Sequence, residues 1–234
     1  MLLGIHDFIN SQPILEPLIK QASKAGIEIR IDSPAQLADQ LSAGKLDIAM
    51  IPAVEYLKQA DRLRLLPNIS ISSRNKVGTV LLVSKVPLNA IRTLALDERS
   101  RTSVALLRVL YAKEFPSGLK LARHEPDLDK MLNQYDAALI IGDQALGVAK
   151  EGVSIYDLSE EWFSRTEKTF VHAVIVAREG VKVEAGIIQT LQNAKLEGLK
   201  NLETIVQTQA NKTGHAVFLL RDYLKNKIHY DFGE

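Results

Sequence analysis

Ser100-Arg101-Thr102-Ser103 brings three hydroxyls and one guanidinium into four consecutive residues. The run stands between a strand-like apolar stretch ending at Leu96 and a strongly apolar helical stretch, Val104 to Tyr111. The first turn of a helix has N–H groups without intrahelical partners and a partial positive charge. Hydroxyl donors and Arg101 at such a turn make a place for a carboxylate or a phosphate. The plainer reading is an ordinary N-cap, where Ser and Thr are favoured in any case. A cap uses one hydroxyl, and this run offers several beside an arginine, so an anion site is expected here.

Three other segments share this chemistry. Asp7-Phe8-Ile9-Asn10-Ser11 follows the first apolar run, with Asn10 and Ser11 placed to cap a helix or to face a ligand. Ile51-Pro52-Ala53-Val54-Glu55-Tyr56 reads as a strand end with exposed backbone amides, or as a structural turn. Ser72-Ser73-Arg74, with Thr79 just beyond, offers more donors, although Arg74 also reads as a solvated surface charge. In parallel α/β sheets ligands sit beyond the C-terminal ends of strands, where all four segments fall. They offer hydroxyls, amides and N–H groups and no obvious catalytic base, a profile suited to a small polar anion.

Other constellations are weaker. His124-Glu125-Pro126-Asp127-Leu128-Asp129 suggests metal ligands, but acids at a helix start are explained by the macrodipole, so no metal is expected. The five histidines show no HxxxH spacing, and His6 alone neighbours a candidate segment. The chain lacks GxGxxG, a GKT or GKS phosphate loop and GxSxG, against nicotinamide binding, P-loop chemistry and an α/β-hydrolase.

The elements that must hold these residues alternate along the chain. Leu2–Ile5 reads as a strand, and Pro13 opens a helix whose apolar face is Ile14, Leu15, Leu18 and Ala22. Gly26 closes it, Ile27–Ile31 is a strand, and Ser33-Pro34-Ala35-Gln36 is a capping box ahead of Leu37, Ala38 and Leu41. Gly44 ends that helix and Ile48–Ile51 is a third strand, stopped by Pro52. This β-α-β-α-β order predicts a largely parallel sheet covered by helices. Strands are predicted at Ile69–Ser72, Thr79–Ser84, Thr93–Leu96, Leu119–Ala122, Ala137–Ile141 (ending in Gly142-Asp143) and Phe170–Ala177. Helices are predicted at 101–114, Asp127–Asn133, from Val183 to about Asn211, and at Ala216–Lys225, with an irregular stretch over Tyr156–Lys168. The two long apolar strands, Thr79–Ser84 and Phe170–Ala177, suggest crossovers between two lobes.

Bulk properties narrow the partners. With 234 residues, 46% of them hydrophobic, the chain can build a substantial core. A net charge of +1 and few aromatics argue against nucleic acid. The absence of cysteine excludes disulfides, thiolate catalysis and iron–sulfur clusters. No apolar run reaches the roughly 18 residues of a membrane span, and Met1–Ile5 is too short and uncharged for a secretory signal, so a cytoplasmic protein is expected.

Together the segments resemble a known family. The match rests on Asn10-Ser11-Gln12-Pro13, Ser33–Leu37, Gly44–Ala49, Ile69–Arg74, Val80–Lys85, Ser100–Leu107, Ala138–Asp143, Tyr156-Asp157-Leu158 and Glu161-Trp162, in order from about Ile5 to Tyr230. This pattern is similar to the chorismate dehydratases of the futalosine route to menaquinone. The resemblance implies an α/β, two-lobed fold like the type II periplasmic solute-binding proteins, with mixed sheets flanked by helices and a ligand cleft between lobes. Lobe I would comprise 1–83 and 175–234, and lobe II 84–174. It implies loss of water from chorismate, a small dicarboxylate, to give 3-[(1-carboxyvinyl)oxy]benzoate, with no cofactor, and with the substrate's own enolpyruvyl carboxylate as base. Asn10 and Thr79 would be catalytic: Asn10 orients the substrate or its leaving hydroxyl, and Thr79 supports the same site. Ser11, Pro52, Ala53, Ser72, Ser100, Arg101, Thr102, Ser103, Gly142 and Asp143 would bind substrate, with Arg101 either a ligand or a pin for its loop. Gln12, Arg99 and His172 depart from the usual pattern, and members usually continue past Glu234 into one more helix. The other readings are a solute-binding protein for a small carboxylate, and the related enzyme that makes 1,4-dihydroxy-6-naphthoate.

Overall fold

In chain order the elements are β1 (Leu2–Ile5), α1 (Gln12–Ala22), β2 (Glu28–Ile31), α2 (Pro34–Ser42), β3 (Ile48–Pro52), α3 (Ala53–Lys58), β4 (Leu63–Ser73) and β5 (Val80–Ser84). There follow β6 (Thr93–Asp97), α4 (Thr102–Tyr111), β7 (Lys120–His124), α5 (Leu128–Gln134), β8 (Ala137–Ile141), β9 (Ser154–Asp157) and α6 (Leu158–Thr166). The last are β10 (Phe170–Arg178), α7 (Ala185–Lys200), α8 (Leu202–Thr213), α9 (Val217–Asp222) and β11 (Ile228–His229). They are seen in a computed structural model that describes residues 1–231. Residues 232–234, the end of the segment expected in lobe I, lie outside the described residues.

The chain forms two units, Met1–Ser72 with Val171–Glu234, and Ser73–Phe170. The first contains a six-stranded sheet in the order β11-β4-β10-β3-β1-β2. β1 runs parallel to β2 and β3, while β10 returns antiparallel on β3 with Ala173 opposite Pro52. β3 is buried at every residue, as a central strand covered on both faces must be. Leu37, Ala38 and Leu41 of α2 pack with Ala49, Ile51, Val174 and Val176 of the sheet. α1 and α7 come close at Gly198, where an added Cβ would lie 2.8 Å from Pro13 Cα and closer still to its carbonyl.

The second unit holds a five-stranded sheet in the order β7-β6-β8-β5-β9. β7, β6 and β8 are parallel, and β5 is antiparallel to both β8 and β9. Its core joins Leu81, Val83, Ala95, Ala138 and Ile140 to Met131 and Leu132 of α5.

Several sequence expectations need correction. The division falls at Ser72/Ser73 and Phe170/Val171, ahead of both expected boundaries. Thr79–Ser84 is not a crossover, because β5 spends its hydrogen bonds on β8 and β9 of its own sheet. β4 starts at Leu63, six residues before the expected Ile69. The added part includes Pro67 and the positive-φ Asn68, whose carbonyls accept from Gln192 (3.3 Å) and Lys195 (2.7 Å) of α7. The stretch at Tyr156–Lys168 contains the end of β9 and helix α6, started by the Asp157 carboxylate, which accepts from Ser159 N and Glu160 N. The long C-terminal helix breaks at Asn201 into α7 and α8. The last helix is α9, ending at Asp222 in a wider π turn over Tyr223–Lys227.

Candidate functional site

In the first unit the candidates lie on the loop after β1, at the end of β3 and at the end of β4. β1 and β3 are adjacent and parallel, so His6–Ser11 and Pro52-Ala53 leave the same edge of the sheet. The loop is held by its own side chains. Ser11 Oγ donates to His6 O (2.6 Å) and Phe8 O (2.8 Å), and Gln12 Nε2 donates to Asp7 O (2.7 Å). Ser11, expected to cap α1 or to face a ligand, instead sits at the N-cap position with no capping bond and ties the loop shut. Proline at the second helical residue has no N–H to cap, which leaves the hydroxyl free for the carbonyls behind it. Asn10 stands on this pinned turn, and its Oδ1 is enclosed without a hydrogen-bond partner. So is Nδ1 of His6, a residue only 3% exposed. Pro52 is the last residue of β3 and Ala53 the first of α3, and both are buried. Ser72 Oγ donates to His229 O at 3.2 Å and so serves the β4–β11 pairing.

In the second unit the candidates are joined by a chain of bonds along one sheet edge. Gly142 N donates to Thr79 O at 2.9 Å, tying the end of β8 to the start of β5. Ile141 N donates to Asp97 Oδ2 at 3.3 Å. Asp97 is fully buried and accepts a two-pronged bond from Arg99, Nε to Oδ1 at 2.9 Å and a terminal nitrogen to Oδ2 at 2.7 Å. That same nitrogen donates to Ile141 O at 3.2 Å. The clamp fixes the turn from which Ser100–Ser103 leave. Ser100 Oγ then accepts from Ser103 N at 3.2 Å, so the ordinary cap role falls to Ser100. Thr102 and Ser103 are buried at the head of α4, and Arg101 and Asp143 are half-buried. Thr79, 3% exposed, follows a loop held by Asp157, whose Oδ2 accepts from Val77 N (3.0 Å) and Gly78 N (2.6 Å). Burial pushes the Asp157 carboxyl up, while the backbone N–H groups of Gly78, Glu160, Ser159 and Val77 pull against it.

The sequence profile of a family described as menaquinone biosynthesis matches residues 1–234. A chorismate dehydratase of Thermus thermophilus is 32% identical, over 96% of this chain and 87% of the relative. This chain belongs to the menaquinone biosynthesis family. Solved structures show the same fold at low identity. A protein of Archaeoglobus fulgidus aligns with a TM-score of 0.75 at 16% identity, covering 100% of this chain and 91% of its own. The periplasmic aliphatic sulphonate-binding protein of Escherichia coli aligns at 0.63 and 13%, covering 98% and 84%. A Candida albicans protein described as having the generic periplasmic binding protein fold aligns at 0.63 and 10%, covering 98% and 81%. The family member described here thus has a periplasmic-binding-protein-like fold of two α/β units.

Asp97 and Asp157 have bonding roles in this menaquinone-biosynthesis protein that the sequence reading did not give them, and His6, which neighbours a candidate segment, has an unpartnered Nδ1. Asp157 had a signal: Asp-Leu-Ser-Glu is a helix-start pattern, obscured by the charged residues that follow. Asp97 and Arg99 had none, since two residues of opposite charge in a turn are usually solvated. Arg99→Ala leaves the buried Asp97 carboxylate without its counter-ion and is expected to destabilise the family member by about 3 kcal/mol in urea unfolding. Arg99→Lys keeps the charge without the fork and should fall between the two. An Arg99→Ala protein as stable as the parent would remove the clamp from this account.

Two histidines, His6 buried and His172 half-buried, give the family member a pH signature. Burial lowers both His6 and His172 from 6.5 to about 4. Between those values the unfolded chain binds protons that the folded one does not, so stability is full above pH 6.5 and falls as pH drops towards 4. From pH 6.5 to pH 5 the loss is about 2 kcal/mol for each histidine. Urea melts across this range check it, and a flat profile would contradict it.

Proposed function

We propose that the protein is a hydro-lyase that removes water from chorismate to give 3-[(1-carboxyvinyl)oxy]benzoate. The observation that carries this reading is the relative named chorismate dehydratase, similar along almost the whole chain. The donor groups at the two sheet edges support it. Chorismate carries two carboxylates and a hydroxyl, and the second unit offers Ser100, Thr102 and Ser103 beside Arg101 at the head of α4, and Thr79 just ahead of β5. We assign a substrate carboxylate to this group, with Gly142 and Asp143 beside it, and assign Asn10 to the leaving hydroxyl. Pro52 and Ala53 supply the buried backbone edge next to the Asn10 loop. Ser11 and Ser72 serve the same surfaces indirectly, since their hydroxyls hold backbone carbonyls.

The chemistry asks little of a protein base. Loss of the C3 proton and the C4 hydroxyl converts a cyclohexadiene into an aromatic ring. The proton passes to the substrate's enolpyruvyl carboxylate, the C4–O bond breaks, and the departing hydroxide takes up a proton to leave as water. The protein's part is to hold the reactive conformer and exclude bulk water. The two buried carboxylates in the second unit, Asp97 and Asp157, are engaged by Arg99 and by backbone amides, which fits a base supplied by the substrate. Among the described residues no helix is long and apolar enough to cross a membrane, and we assign the reaction to the cytoplasm, where a biosynthetic enzyme meets its substrate.

The test is to incubate purified protein with chorismate and follow loss of the mass of water by mass spectrometry. Turnover without added cofactor is expected. Tight binding without turnover would assign the chain to the solute-binding proteins, and neither binding nor turnover would overturn the substrate.

A further inference from the structure

His6 has a place that the reaction described above does not use. It follows β1 directly, at the sheet edge where the candidate segments of the first unit gather. It is 3% exposed, and its Nδ1 has no hydrogen-bond partner. Buried polar atoms are almost always paired, so an unpaired one on a tightly bonded loop is a feature to explain. The same loop carries a second such atom, Asn10 Oδ1. His6 and Asn10 stand on one pinned turn, in which Ser11 Oγ donates to His6 O at 2.6 Å and Ser11 N donates to Phe8 O at 2.9 Å. Ser11 Oγ also donates to Phe8 O and Gln12 Nε2 to Asp7 O, and the His6 ring is braced by Phe8 at a centroid distance of 4.9 Å.

The chemistry of the two atoms selects their ligand. Asn10 Oδ1 only accepts hydrogen bonds, whereas Nδ1 of a neutral imidazole donates when it carries the proton. A carboxylate facing both would meet one repelling acceptor. A hydroxyl, which donates once and accepts, satisfies both. We propose that His6 contacts the substrate and, with Asn10, forms a hydrogen-bond station for the hydroxyl that leaves: His6 Nδ1–H donates to its oxygen, and Asn10 Oδ1 accepts from its O–H. As the C4–O bond breaks and its electron pair moves onto the oxygen, the His6 bond strengthens, which places its effect in the transition state. Burial holds the ring neutral, with a pKa lowered to about 4, so the station adds no charge to the site. This inference rests on the dehydratase reading.

The experiment compares His6→Phe and His6→Asn with the parent on chorismate, with melting curves for each. Asparagine keeps a donor near the position of Nδ1, and phenylalanine keeps the ring without one. We expect His6→Phe to lower kcat about 10²-fold with little change in KM, and His6→Asn to recover most of that loss. If His6→Phe does not fold, His6→Asn still decides: kcat near the parent's supports the donor, and a lost kcat with the parent's melting curve overturns it. Full kcat in His6→Phe, as an ordinary buried water beside Nδ1 would allow, overturns the proposal while the dehydratase reading stands. Absence of turnover by the parent protein overturns both.

Discussion

Gly198→Ala is expected to destabilise the protein by about 3 kcal/mol or more, beyond the usual overpacking cost, measured as a drop in the urea midpoint. The reason is backbone against backbone. The new Cβ would fall within 2.8 Å of Pro13 Cα and closer to the Pro13 carbonyl, none of which can rotate away. α1 and α7 would have to separate along their contact. Pro13 directly follows the turn that holds His6, Asn10 and Ser11, so the separation should also reduce turnover in whatever fraction remains folded. The same helix provides its own control. Gly186 has nothing within 4 Å of an added Cβ, so Gly186→Ala should be neutral or stabilise by up to about 1 kcal/mol through helix propensity. Equal stability of the two variants would show that the close approach is not a real constraint.

Asn10→Ala is expected to act the other way, on rate and not on stability. Its Oδ1 has no partner to lose in the ligand-free protein, so melting should be unchanged or slightly raised. Turnover of chorismate should fall about 10²- to 10³-fold, the usual effect of deleting one oriented hydrogen-bonding group that acts on developing charge. The loss should appear in kcat more than in KM. Full turnover by Asn10→Ala would remove Asn10 from the reaction. The two variants differ in kind: Asn10→Ala is expected to leave folding unchanged and lower the rate, whereas Gly198→Ala acts on folding first and on turnover only through it.

Much of the architecture was legible in the chain. The spacing of Ile14, Leu15, Leu18 and Ala22 marks α1, and Ser33 with Pro34 marks the start of α2, where Ser33 Oγ does accept from Gln36 N. Short apolar runs name β1, β3, β5, β6, β8 and β10 because a strand buried on both faces must be apolar throughout. What was not legible depends on partners far away in sequence. The early part of β4, with Pro67 and Asn68 inside it, was not expected as strand, and its carbonyls there are met by α7. α6 is rich in charge and lacks a clean apolar face, and it is recognised by the cap that Asp157 gives it.

The candidate site divides along the same line. Residue types and local order by themselves determined that Ser100–Ser103 opens a helix, that Asn10 and Ser11 follow a strand, and that the pattern resembles a known family, since these are properties of short segments. Only the tertiary structure decided which polar atoms are spent and which keep no partner. Ser11 and Ser72 look like ligand donors and are committed to backbone carbonyls, while Asp97 and Arg99 look like surface charges and clamp two strand ends together. His6 and Asn10 keep an unpartnered atom each. A hydrogen bond is a three-dimensional commitment made once per lone pair or proton, so the chain can show what each side chain offers, and its folding alone determines what remains to be offered.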